Sequence, residues 1–138
     1  MPGTIYTIGY EGRTLEEIVC IVKGKNSLLV DVRRNAFCGR VKFKAPELAA
    51  HLHSGGWYAH RPELGNQKAA QPGQWLPPEG YGDGTQWWVA YFAKRIMSGE
   101  DIILLCKERN PAKCHRRLVA EAIRDACDEG KKPEIVHL

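Results

Sequence analysis

Two short runs limit what this chain can fold into. Residues 27–32 read Ser-Leu-Leu-Val-Asp-Val and residues 101–106 read Asp-Ile-Ile-Leu-Leu-Cys. Both are apolar at nearly every position instead of every second one. Strands of that kind need cover on both faces, as in a parallel sheet sandwiched between helices. The intervening segments supply such helices. Thr14-Leu15-Glu16-Glu17 has the capping-box pattern, and Leu15, Ile18, Val19 and Val22 follow at helical spacing, with Gly24 as the expected stop. Pro46 suits the first turn of a helix carrying Leu48, Ala49 and Leu52, ended by Gly55-Gly56. Trp87, Trp88, Tyr91, Phe92 and Ile96 mark a third helix up to Gly99, and Cys114–Asp128 holds a fourth with Leu118, Val119, Ala122, Ile123 and Ala126 on its apolar side. Thr4–Ile8, Trp57–His60 and Glu134–His137 read as the remaining strands. The pattern predicts one α/β domain over residues 1–138. It has three layers, with a mainly parallel five-stranded sheet and helices on both faces, Rossmann-like or flavodoxin-like, joined by right-handed crossovers.

Composition removes other classes. The chain has 138 residues, 43% apolar and 26% charged, which is ordinary for a single globular domain. No apolar run approaches the roughly 18–20 residues that span a bilayer, so no membrane partner is expected. The net charge of +4, from 20 Lys and Arg against 16 Asp and Glu, permits an anionic ligand without demanding one. Five cysteines form an odd set, and Met1-Pro2-Gly3-Thr4 lacks a charged segment followed by an apolar one. The expectation is a cytoplasmic location with free thiols.

In an open α/β sheet, ligands bind beyond the carboxyl ends of the strands. Four segments leave such ends: Gly9–Arg13, Arg33–Lys44, the Pro- and Gly-rich Arg61–Gly84, and Lys107–Lys113. The densest chemistry lies along Cys106, Glu108, Cys114, His115, Arg116 and Arg117. A thiol at a helix start meets unpaired amides and the positive dipole end, which favour a thiolate or a bound anion. His115 is a proton-transfer candidate, and Glu108 and Arg116 are substrate or anion contacts. The plainer reading makes Cys106 the buried end of a core strand. Asp31 is either a general base or the holder of Arg33, itself an anion contact. His60 is an acid/base candidate, Tyr10 and Arg13 are expected on the rim as substrate or anion contacts, and Cys20 and Cys127 are packing residues. A metal site built from Cys106, Cys114 and His115 is not expected, because their seven-residue gap and adjacent Cys-His pair match no usual ligand spacing. No cofactor is expected. Trp75, Tyr81 and one of Trp87 or Trp88 are candidate base-stacking surfaces.

The motifs, taken in order, resemble the domain-of-unknown-function family 488. They are Thr7-Ile8-Gly9-Tyr10-Glu11-Gly12-Arg13, Asp31-Val32-Arg33, Phe43, Tyr58-x-His60, Leu64-Gly65 and Cys106-x-Glu108-x-x-Pro111-x-x-Cys114-His115-Arg116. The resemblance implies an α/β fold and a shared site around these residues. Some relatives carry labels related to DNA repair. Ala36, Cys38 and Asn66 stand where relatives tend to have Pro, Ser and Gly. The leading expectation is an enzyme acting on a phosphate-bearing substrate, a nucleotide or nucleic acid. The alternatives are a non-catalytic nucleic-acid-binding module and a thiol redox or sulfur-transfer protein using Cys106 and Cys114.

Overall fold

A computed structural model describes residues 1–37, 43–52 and 56–138. Cys38 and Gly55, singled out above, lie outside the described residues. Among the described residues, five strands alternate with four α-helices: β1 (Ile5–Gly9), α1 (Leu15–Lys25), β2 (Leu28–Asp31), α2 (Ala45–Leu52), β3 (Tyr58–His60), α3 (Gly84–Met97), β4 (Ile102–Cys106), α4 (Arg116–Asp125) and β5 (Ile135–His137). All strand pairings are parallel, and the sheet order is β3-β2-β4-β1-β5.

Alternation along the strands divides the core. Leu28, Val30, Ile102 and Leu104 face α3 and α4, with Phe92, Ile96, Val119 and Ile123. Leu29, Ile103 and Leu105 face α1 and α2, with Ile18, Val22, Leu48 and Leu52. Every residue of β2 and β4 is buried, as the two uninterrupted apolar runs require.

The helix ends refine the expected boundaries. The Thr14 hydroxyl accepts from the Glu17 amide at 3.1 Å. Gly24 stays helical, and Asn26 takes the left-handed cap at φ +50° instead. The fourth helix starts two residues later than its apolar pattern predicts. A 3₁₀ turn, Pro111–Lys113, precedes it, which leaves Cys114 and His115 on the bend.

The strand order positions the site. β4 lies between β2 and β1. The chain leaves β1 and β2 for one face and β4 for the other. Loops diverging in this way open a crevice at the carboxyl end of β4.

Candidate functional site

A cleft of about 400 Å³ occupies that position. Cys106 and His115 lie on its floor, both almost fully buried, and Glu108 is beside them. Arg34, Lys107 and Lys113 form a basic rim, and residues 70–73 with Asn66 form the opposite wall. No carboxylate among the described residues forms an ion pair with Arg34, Lys107 or Lys113.

The floor is built by the bend between β4 and α4. Asn110 Oδ1 accepts from the Ala112 amide at 3.0 Å, and the Cys114 amide donates to the Pro111 carbonyl at 3.2 Å. This turn folds Cys114 back toward the end of β4. Cys106 Sγ, Cys114 Sγ and a His115 ring nitrogen then lie within 4.8 Å of one another. His115 Nε2 sits 3.0 Å from both the Val32 and Leu64 carbonyls. A carbonyl only accepts, so Nε2 carries a proton, and Nδ1 faces the thiols. Nδ1 is 3.6 Å from Cys106 Sγ.

The two thiols are driven apart in acidity. A hydrogen bond from Cys106, the His115 ring and the Arg116 amide pull the Cys114 thiol well down, against the effect of burial. Its hydrogen bond to Cys114, and burial, push Cys106 up. Of the two thiols, the one beside the start of α4 is thus the more acidic. Burial, followed by the charge on Cys114, raises the neighbouring Glu108 carboxyl.

Close backbone approach holds the loops together. A Cβ on Gly9 would lie 1.9 Å from the Glu108 carbonyl oxygen, so β1 has to end in glycine for the β4–α4 loop to cross it. On the far wall, Asn66 stitches residues 65–77 together. Its Oδ1 accepts from the Leu76 amide at 2.6 Å, and its Nδ2 donates to the Gln74 carbonyl at 2.7 Å. The Trp75 indole donates to the Gly65 carbonyl at 2.9 Å.

The expected site residues separate into two groups. Cys106, Glu108, Cys114 and His115 come together at the cleft floor. Arg33 also lines the cleft, and it and the others brace the surrounding loops. Asp31 is fully buried and accepts from the Arg33 amide, Arg33 Nε and Nη2, and the Tyr58 hydroxyl. Arg33, 6% exposed, also donates to the Phe43 carbonyl at 2.7 Å. Tyr10 lies in the core instead of on the rim, with the Arg33 guanidinium 5.4 Å from its ring centre. Burial raises its hydroxyl pKa.

Arg116 is fully buried. Its Nη1 donates to the Glu108 carbonyl and its Nη2 to the Arg109 carbonyl. Both terminal nitrogens thus face backbone carbonyls beneath the loop, and Arg116 does not line the cleft. Arg13 donates to the Gly9 carbonyl at 3.2 Å. His60 bonds the Arg33 carbonyl through Nε2 at 2.7 Å and lines a separate depression with Phe37 and Pro46.

The residues missed from sequence are the rim cations Arg34, Lys107 and Lys113, together with Asn66. Arg34 is adjacent to an arginine that is buried, and nothing local distinguishes the two. Asn66 was visible only as a departure within a Pro-rich segment.

The family model described as domain of unknown function DUF488 matches residues 15–123. No match was found among curated proteins. The matched span runs from the first turn of α1 into α4 and takes in β2, β4 and the bend that carries both thiols. The chain is therefore a member of the domain of unknown function DUF488 family.

Proposed function

We propose that the protein is an enzyme whose cleft at the carboxyl end of β4 takes a phosphate-bearing substrate of nucleotide size. One observation carries this reading. The same cleft joins a floor of Cys106, Glu108 and His115 to a rim of Arg34, Lys107 and Lys113. The rim supplies positive charge where an anion would enter, and the floor supplies groups able to move a proton or act on a bound atom. Asp31 serves as the holder of Arg33 in this reading, and Arg33 and Arg116 keep the loops in shape. A volume near 400 Å³ suits a mononucleotide and falls within the usual range for small-molecule sites.

Calorimetric titration with nucleoside monophosphates, inorganic phosphate and an uncharged nucleoside tests it. The phosphate-bearing compounds are expected to bind and the nucleoside to bind weakly or not at all. Arg34→Ala and Lys113→Ala should each weaken binding by about 1.5–3 kcal/mol, which is roughly ten- to a hundredfold. Binding that is equal in both variants and wild type would remove the rim from the site.

A second reading has its own observation. Arg34 also lines an adjoining groove of about 430 Å³ with Gln67, Lys68 and Tyr81. A strand longer than one nucleotide could follow this groove, with half-exposed Tyr81 as a stacking surface. Affinity for a short oligonucleotide that exceeds the mononucleotide's and falls steeply with salt would favour it.

A further inference from the structure

We propose that Cys106, Cys114 and His115 bind a single divalent transition metal of the zinc class, with the open side of the ion facing the cleft. This goes beyond the substrate reading and does not depend on which anion the cleft takes. It also reverses the expectation drawn from ligand spacing.

The donors are already gathered. Three atoms from three buried residues lie within 4.8 Å of one another. Zinc bonds of about 2.3 Å to sulfur and about 2.0–2.1 Å to nitrogen, at a tetrahedral angle, put sulfur and nitrogen about 3.5 Å apart. The Cys106 Sγ to His115 Nδ1 distance is 3.6 Å. A thiol–imidazole hydrogen bond would give a similar distance for that pair alone, and the second thiol at the same point is what favours a metal.

The imidazole is also held as metal-binding histidines are held. Its remote Nε2–H is fixed by two backbone carbonyls at 3.0 Å, one from the end of β2 and one from the turn after β3. Such outer partners set the tautomer and aim the ligating nitrogen. Two thiolates and an imidazole favour a borderline or soft ion over magnesium or calcium.

Cys106 and His115 both line the cleft, so a bound ion would have three protein ligands and one side toward substrate. That is the arrangement of catalytic zinc sites, where structural sites are closed by a fourth residue. Glu108 lines the same cleft and is positioned for proton transfer at the open side. The spacing rule failed because Asn110 and the 3₁₀ turn reverse the chain, so that residues eight apart in sequence meet.

The test uses the reduced full chain, stripped with a chelator and titrated with Co²⁺ without oxygen. Thiolate-to-cobalt charge-transfer absorption and tetrahedral d–d bands should saturate at a single ion per chain, and Zn²⁺ should displace them. Cys114→Ser and His115→Ala should weaken Co²⁺ binding by about a hundredfold or more. Cys20→Ser, on the exposed surface of α1, should leave it unchanged. Peptide-mapped alkylation of the wild type avoids any folding defect in the variants. Zn²⁺ should abolish labelling of Cys106 and Cys114 and leave labelling of Cys20 unaltered. Absence of the absorption bands together with absence of protection overturns the proposal. So does a Cys106–Cys114 disulfide formed in air by protein that takes up no metal, an outcome that assigns the pair to thiol redox chemistry.

Discussion

Asp31 is a carboxylate with no exposure, and its partners are all internal: the Arg33 amide and guanidinium, and the Tyr58 hydroxyl. The Arg33 Nη2 to Asp31 Oδ2 distance is 2.6 Å, and both side chains are out of water. Forming such a pair adds little to stability, because the desolvation of both ions offsets their attraction. Removing one member is costly, since the other charge stays buried. Asp31→Asn is therefore expected to cost about 3–5 kcal/mol. Tyr58→Phe, which removes one hydrogen bond to a charged group, should cost about 1.5–3 kcal/mol. Urea denaturation measures both as a fall in midpoint at constant slope. If Tyr58→Phe proved the more damaging, Arg33 would have an adequate alternative to Asp31. The same residues show what a sequence conceals. Asp31-Val32-Arg33 announces a carboxylate and a guanidinium at a strand end, but whether the guanidinium faces a ligand or a carbonyl is decided by how an irregular neighbouring loop folds back on it. Arg33 meets Phe43, and Arg116 meets the carbonyls of Glu108 and Arg109.

Loops and helices differ in how much of them is local. The strands and helices were legible because their signals are periodic and short: β4 is buried along its whole length, and α1 follows its Thr14 cap. The cleft floor was legible for a related reason, since Cys106, Glu108, Cys114 and His115 belong to one bend. Its far wall was not. Residues 65–77 are held by Asn66, whose partners Gln74 and Leu76 lie in an irregular segment with no periodic signal, and by Gly73, which meets Ala112 far along the chain. Gly73 adopts φ +79°, and a Cβ there would lie 2.6 Å from the Ala112 carbonyl oxygen. Gly73→Ala must therefore lift this wall from the β4–α4 bend or strain both. The expected loss is on the order of 1–3 kcal/mol, accompanied by faster proteolytic cleavage within residues 66–77 while the core helices stay protected. Unchanged stability and cleavage would mean that the wall is not anchored at that contact.

The whole molecule depends on how its edge strand closes the sheet. Among the described residues β5 pairs only with β1, through Ile5 with Ile135, Tyr6 with Val136 and Thr7 with His137. His137 Nδ1 lies 2.5 Å from the hydroxyl of buried Thr7. Partial burial lowers the His137 pKa, and the charges of Arg116 and then Arg117 lower it further; Glu121 acts in the opposite direction. The group facing β5 from α4 is thus mainly cationic, and Arg116 cannot move away because it also holds the β4–α4 bend. A histidine with a lowered folded pKa binds its proton more readily when unfolded. Its contribution to stability is complete above the unfolded value of about 6.5 and declines as pH falls toward the lower folded value. Chemical denaturation across mildly acidic pH should therefore show stability decreasing from just above pH 6.5 downward. His137→Asn should flatten that part of the profile without changing it at higher pH. Added salt should lessen the slope, because His137 is exposed and its repulsion from Arg117 is open to screening. A profile with the same slope in the variant would place the titrating group elsewhere. A slope of opposite sign would mean that Glu121, not the two arginines, governs the charge at this edge.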